Sequence, residues 1–408
     1  MSAQIMGSGG STSLAADGIR QVVDAQVTRT PCFIYDEGLL QELVARVALI
    51  GNEADVSVLY TLKPFSLLDF LRFISGDVNG FAVSSLFEAR LAREAIGEGG
   101  SVHFTSPGLR PDDLQEISDS CDYISFNSLS QWARHSQEAS RRSRCGIRVN
   151  PQLSLVPDAR YDPCRTNSKL GVPIEDLVKA IAQAPEDFVE LSGIHFHTNC
   201  DSDDFDELLE TAELVSSSLC HLLPKLDWIN LGGGYLFEKG QPYIGLNDAA
   251  QLFQSNYNLR VFIEPGAALI REAGYIVSTV LDAFDSGGKT IAVLDTTVNH
   301  MPEVFEYVFE PDVAGHHDQA PNSYILAGSS CLAGDIFGEY TFTEPLAIGD
   351  RVIFKNVGAY TLVKAHMFNG IDLPAVYALT ADGQLLLKRE IGQRGFLERW
   401  RGGIHALV

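Results

Sequence analysis

No stretch of the 408-residue chain approaches the ~18 consecutive apolar residues of a membrane-spanning helix, so no such protein is expected. Basic residues are also scarce. Thirty Lys and Arg face 53 Asp and Glu, giving a formal charge of −23. A nucleic-acid binder needs clustered cations for phosphate contacts, and this chain would oppose one with its own field. A cationic substrate would instead be drawn in. The seven cysteines (32, 121, 145, 164, 200, 220 and 331) are odd in number, scattered and without CxxC spacing. They do not form a disulfide framework, and reduced thiols in the cytoplasm are the simpler account. The start, MSAQIMGSGGSTSLAADG, lacks a cationic stretch leading into an apolar one, so no signal peptide is expected. Its Gly/Ser content reads as a flexible lead-in, taken over residues 1–29.

Hydrophobic residues are 45% and charged residues 20%, as in globular proteins. The length exceeds what one core usually holds, which predicts two domains. Eight β-rich runs recur between 58 and 265: VLYTLK, NGFAVSS, VHFTSP, YISFNS, CGIRVN, LSGIHFH, DWINLGGG and RVFIEP. The first five start 21 to 23 residues apart, enough for a strand, a helix and two turns. SSLFEARLAREAI opens with Ser85 and Glu88 at capping-box spacing, RPDDLQEI with Pro111 and acids, and DDFDELLETAELV has helical periodicity. The expectation is an α/β fold: a (β/α)8 TIM-like barrel over 38–270, with an open doubly wound sheet as the competing architecture. The long gap between the fifth and sixth runs is an insertion that contains YDPCRTNSKLG. After about 271, GYIVSTVLDAF, KTIAVLDTT, NSYILAGSS, RVIFKNV, AYTLVKA and AVYALTADGQLLLKRE read as strands between turns. They predict a mostly β domain over 271–408, which the strand at 30–37 (PCFIYDE) would join.

Catalytic groups of such barrels lie at the C-terminal strand ends. Lys63 ends the first strand, where burial would lower its pKa, as a Schiff-base lysine requires; a surface lysine reaching water is the plain alternative. Gly232, Gly233 and Gly234 end the seventh and offer three backbone N–H groups suited to a phosphate, or form a tight turn. Glu264 ends the eighth, where a carboxylate could pair with a protonated pyridine nitrogen or stand in solvent. His195 and His197 share one strand face. With Cys200 they mimic a metal set, but no fourth ligand has suitable spacing, so no metal is expected. His197 is read as a plate stacked on a planar cofactor, and His195 as barrel filling. A lysine for an imine, glycines for a phosphate, a carboxylate for a pyridinium and a histidine plate together describe pyridoxal 5′-phosphate.

At these motifs the chain resembles the fold-type III pyridoxal-phosphate decarboxylases (alanine racemase and ornithine decarboxylase-like, a barrel plus a β domain). Within them it most resembles carboxynorspermidine/carboxyspermidine decarboxylase. The resemblance runs from TPCFIYDE at 30–37 to FNGIDLP at 368–374. It is carried by TLKPFS, SSLFEARLARE, FNSLSQ, RVNPQ, YDPC with SKLG, GIHFHTNC, NLGGGY, FIEPG, HMPEV and CLAGD. It implies that Lys63 forms the Schiff base, His197 stacks on the ring, Gly232–Gly234 with Gly266 bind the cofactor and Glu264 contacts the pyridine nitrogen. Tyr360 in GAYT would reach the phosphate. Cys331 in SSCLAGD would come from the partner subunit of a homodimer and serve as proton donor, and Asp335 would cross with it. Asp295, Glu303 and Asp335 are the candidate carboxylates for the distal ammonium groups of a small cationic amino-acid or polyamine substrate. Where the broader group often has an arginine after EPG, this chain has Ala267, and the segment around 295–310 departs from the family pattern. The implied reaction is decarboxylation in polyamine biosynthesis, yielding norspermidine or spermidine. The alternatives are a decarboxylase of diaminopimelate, ornithine or a specialised-metabolite intermediate, and a catalytically silent partner-binding relative.

Overall fold

A computed structural model describes residues 16–401. They divide into two compact units, one of residues 42–269 and one joining the residues up to 41 to those from 270 onward. Among the described residues no helix is long and apolar enough to cross a membrane.

The chain begins with a helix over Ala16–Gln26 and strand β1, Cys32–Asp36. The helix corrects the expected flexible lead-in at 1–29, of which 1–15 lie outside the described residues. Its apolar face is the reason: Ile19 and Val23 are buried in a cluster with Cys32, Ile34, Val277 and Ile353.

The 42–269 unit contains β2 (Ser57–Thr61), β3 (Gly80–Val83), β4 (Ser101–Ser106), β5 (Tyr123–Phe126), β6 (Arg144–Asn150), the short β7 (Val172–Pro173), β8 (Leu191–His195), β9 (Trp228–Asn230) and β10 (Arg260–Ile263). All pair in parallel, in the order β5-β4-β3-β2-β10-β9-β8-β6-β7, and β5 also pairs β6. That last pairing closes the sheet into a barrel and excludes the open doubly wound alternative. Helices connect successive strands. The helix Leu86–Ile96 starts as its sequence indicates, with Ser85 Oγ accepting from Glu88 N at 3.2 Å. The return bond differs from a capping box, because Glu88 takes the N–H of Ser84 rather than Ser85.

The barrel interior is filled by rings. Trp228 and Phe262 pack with Leu59, Ala82 and Tyr123, and His103 stacks on Tyr123 at 4.1 Å. Room for the Trp228 indole comes from two neighbours: a Cβ at Gly193 would fall 2.0 Å from it and one at Gly146 2.6 Å.

The second unit is built on one mixed sheet. Its strands are β1, β11 (Gly274–Ser286), β12 (Lys289–Leu294), β13 (Asn322–Ala327), β14 (Ile336–Phe342), β15 (Arg351–Phe354), β16 (Ala375–Leu379) and β17 (Leu385–Arg389). The order is β14-β13-β12-β11-β1-β16-β17, with β15 on β11. β1 thus lies between β11 and β16, antiparallel to the first and parallel to the second. Three details depart from the sequence reading. AYTLVKA is no strand: Tyr360 takes φ +57°, which breaks an extended run, and Thr361 bonds back to Val357 O. β14 was not anticipated. The segment AVYALTADGQLLLKRE is a hairpin whose turn is held by Thr380 N donating to Gln384 O at 2.9 Å.

Candidate active site

Four loops singled out from the sequence leave neighbouring barrel strands. Lys63 lies just beyond β2, Glu264 and Gly266 follow β10, Gly232–Gly234 follow β9, and His197 follows β8. The barrel order β2-β10-β9-β8 makes these strands consecutive, so the groups form one arc of the rim. The next strand, β6, adds Arg148. Arg148 pairs in register with His195, and His195 with Asn230. Paired residues share a sheet face, so three polar side chains line up in one row below that arc. All three are buried.

The row is electrostatically unusual. Among the described residues no carboxylate lies within ion-pair distance of the Arg148 guanidinium; Glu264 acts on it only at longer range. Lys63 keeps exposed surface, and the charges of Arg148, Cys200, Glu264 and Glu88 act on its ammonium. Burial pulls the Lys63 pKa below its ordinary 10.5, and the Arg148 charge lowers it further. Glu264 shifts the other way. Burial raises its pKa, while the hydrogen bond from Asn230 and the charges of Arg148 and Lys63 oppose that rise. His195 and His197 are held well below the usual histidine range, first by burial. Lys63 and Arg148 thus stand beside two carboxylates, Glu264 and Glu88, and imidazoles held neutral by burial.

His197 Nδ1 accepts the Gly233 N–H at 3.0 Å, which places the ring proton on Nε2 and fixes the plane of the ring. The glycine loop differs from its sequence reading. Of its three N–H groups, Gly232 donates to Asn230 Oδ1 at 2.9 Å and Gly233 to His197. Of the three, the Gly234 N–H has no acceptor among the described residues. The glycines are needed because the backbone approaches its neighbours closely. A Cβ at Gly233 would sit 2.1 Å from Glu264 O, and one at Gly234 2.2 Å from Asn199 O. Gly232 and Gly234 also take φ of +73° and +95°. Gly266 is a glycine for packing: a Cβ there would meet Thr61 Cγ2 at 2.5 Å and Pro64 at 2.9 Å. Ala267 opens the short helix Ala267–Ile270.

The other expected residues fall in the second unit, on loops. Cys331 is exposed, and its N–H donates to Asn369 Oδ1 at 2.7 Å. Asp335, expected as a substrate carboxylate, follows Cys331 in the same loop. It is 3% exposed, with Oδ1 accepting from Val298 N at 2.7 Å and Oδ2 from Ser330 N at 3.0 Å and Ser330 Oγ. Its oxygens hold the loop that carries Cys331. Asp295 is likewise engaged inside the sheet, accepting from Ser278 Oγ at 2.7 Å, Thr279 N at 2.9 Å and Thr30 Oγ1. Glu303 lies on the helix Pro302–Tyr307, 3.4 Å from Lys364 Nζ. Tyr360 stands in the left-handed region, two residues after Gly358.

Sequence reasoning missed two residues of the barrel site, Arg148 and Asn230. The signal for Arg148 was present: it is an arginine in the middle of the apolar run CGIRVN, where a strand entering a core has no use for a cation. Asn230 carried no such mark, since an amide ahead of a glycine turn is common.

The constellation fits pyridoxal phosphate. A nucleophilic lysine, an unpaired buried guanidinium, an N–H aimed from a Cβ-intolerant loop and a carboxylate held by an amide are what an aldehyde, its anionic substituents and a pyridine nitrogen require. The comparisons agree. The family model of the pyridoxal-dependent decarboxylase, pyridoxal binding domain, matches residues 40–278. A carboxyaminopropylagmatine decarboxylase of Synechocystis is 35% identical over 91% of this chain and 95% of its own length. A carboxynorspermidine/carboxyspermidine decarboxylase of Campylobacter jejuni is 30% identical over 90% and 97%. The crystal structure of C. jejuni carboxynorspermidine decarboxylase complexed with norspermidine superposes with a TM-score of 0.82 at 28% identity, covering 91% of this chain and all of that one. The chain therefore belongs to the pyridoxal-dependent decarboxylases, and pyridoxal phosphate is its cofactor.

Proposed function

We propose that this decarboxylase acts on a carboxylated polyamine, with carboxynorspermidine and carboxyspermidine as the substrates and norspermidine and spermidine as the products. The observation that carries the reading is the near full-length match to relatives named for such substrates. The 35% match to a carboxyaminopropylagmatine decarboxylase favours a second reading, in which the distal end of the substrate is a guanidinium.

When bound, the cofactor takes up the electron pair left as the bond from Cα to the carboxylate breaks. The protein's residues do the rest. Lys63, made a better nucleophile by its lowered pKa, would hold the cofactor covalently and release it to the incoming amine. Glu264 would keep a proton on the pyridine nitrogen, and the fixed His197 ring would lie against the cofactor plane. Arg148 and the Gly234 N–H supply positive potential for anionic substituents, with Gly266 and Tyr360 in the remaining cofactor contacts. Cys331 would return a proton to the product. Asp295, Glu303 and Asp335 are the candidates for the distal ammonium groups, each of which would have to share a carboxylate already engaged within the chain.

The working form is proposed to be a homodimer with shared sites, residing in the cytoplasm. Support comes from the exposed Cys331, which another subunit can reach, and from seven free cysteines, which suit a reducing compartment. The substrate test incubates the cofactor-loaded protein with carboxynorspermidine, carboxyspermidine and carboxyaminopropylagmatine and follows loss of CO₂ by product mass. Conversion of either of the first two, with the higher kcat/KM, supports the first reading. Preference for the third supports the second, and conversion of none sinks both.

A further inference from the structure

We infer that Asn230 is a positioning residue, whose single side-chain amide sets both the glycine loop and the orientation of Glu264 toward the cofactor nitrogen. The inference rests on the reading of Glu264 given above. Asn230 ends β9, is 1% exposed, and uses both ends of its amide. Oδ1 accepts the Gly232 N–H at 2.9 Å, and Nδ2 donates to Glu264 Oε1 at 2.7 Å.

The assignment of the two ends follows from chemistry. A backbone N–H can only donate, so the atom facing Gly232 must be the amide oxygen. The NH₂ group must then face Glu264, and it can only donate. Glu264 Oε1 is therefore an acceptor, which favours the ionised carboxylate over the acid against the cost of burial. Oε2 receives no hydrogen bond from the described residues; the nearest basic atom there is His195 Nε2 at 3.7 Å. Because Oε1 is spent on Asn230, Oε2 is the oxygen left for the pyridine nitrogen. The Glu264 backbone is tied to the same loop, its N–H donating to Gly232 O at 2.7 Å. One buried amide thus couples the carboxylate that holds the ring proton to the loop that faces the phosphate.

The test compares Asn230→Asp, Glu264→Gln and the double variant as full-length holoenzymes. Asn230→Asp keeps an acceptor for Gly232 but sets a second carboxylate against Glu264, so that the pair shares a proton. It should lower kcat about 10- to 100-fold with little change in KM, the span expected for a lost hydrogen bond to a charged group. It should also displace the pH dependence of the bound cofactor's visible absorption. The double variant should be no slower than Glu264→Gln alone, because Asn230 acts through Glu264. Two further readouts do not depend on turnover: the Kd for pyridoxal phosphate by fluorescence titration, and the Tm of the protein without it. Loosening of the glycine loop in Asn230→Ala should raise that Kd at least about tenfold. A slow Glu264→Gln beside an Asn230→Asp with unchanged kcat and absorption, or strictly additive losses, overturns the inference. An unaffected Glu264→Gln would instead overturn the role given to Glu264. A fall in Tm without any movement of the pH dependence would reduce Asn230 to packing, which also overturns the inference.

Discussion

The barrel and the β unit were read from the same sequence by the same reasoning, and their carboxylates came out differently. In the barrel, the Glu264 carboxylate has one hydrogen bond among the described residues, from Asn230, and stands within electrostatic reach of Lys63 and Arg148, while burial raises its pKa. In the β unit, Asp335 and Asp295 are saturated by backbone and hydroxyl donors. A carboxylate with two or three donors already satisfied has little left for a substrate ammonium. The lesson is that an acid at a strand end of a parallel barrel has its position fixed by the architecture, whereas an acid in a β-domain loop is first of all available to fold the loop.

Substitutions can sharpen that contrast. The largest effect is expected at Lys63. Lys63→Ala should abolish turnover, since no neighbouring amine replaces the covalent link, while Tm stays close to the parent because removing a buried cation relieves desolvation. Substantial remaining activity would remove Lys63 from the site. Cys331→Ala should also be severely impaired, and mixing it with Lys63→Ala under conditions of subunit exchange should restore activity that neither variant shows alone. Restoration requires a site that takes Lys63 from one chain and Cys331 from the other; its absence would place both in one chain.

The barrel site was legible because its physics is periodic. Eight β-rich runs, the first five evenly spaced, mark the strands, and the strand ends fix where Lys63, His197, the glycines and Glu264 stand. What the periodicity hid was use within the strand. Arg148 and Asn230 sit on interior rows that look like ordinary core positions until register brings them beside His195 and Glu264. The glycine loop was placed correctly but overcounted, because a sequence does not show that Asn230 and His197 claim two of its N–H groups. In the β unit the sheet was visible while Tyr360 was misplaced on a strand, since a left-handed tyrosine leaves no mark in a hydrophobic pattern.

The acids of the β unit supply the next smaller effect. Asp335→Ala orphans Val298 N and both donors of Ser330, at about 1–3 kcal/mol for each buried group left unpaired. Urea unfolding should show a loss of about 3–4 kcal/mol in all. Asp295→Asn, at a half-buried position, should cost less, about 1–2 kcal/mol. Neither should change KM, because a lost folded fraction lowers the apparent kcat alone. A KM raised tenfold at an unchanged folded fraction would return these carboxylates to the substrate.

The smallest effect concerns acid. In the barrel unit burial is the first cause of a lowered pKa at four histidines, 103, 135, 195 and 197. The β unit carries His300, whose pKa burial and the nearby His366 pull down to about 4. An unfolded histidine takes up its proton below about pH 6.5, whereas folded His300 does so only near pH 4. Between those values the unfolded state binds more protons, so stability falls as pH falls through that window and levels off below it. One group of this kind contributes at most about 1.4 kcal/mol per pH unit. Replacing His300 with Asn removes its share and leaves that of the barrel histidines. The difference in unfolding free energy between pH 7.5 and 5.5 should therefore narrow by about 1 kcal/mol and stay well above zero. Disappearance of the whole difference would assign acid sensitivity to the β unit alone. No narrowing would mean that His300 already carries its proton in the folded chain, against a burial that leaves it no exposed surface and a hydrogen bond only to Thr296.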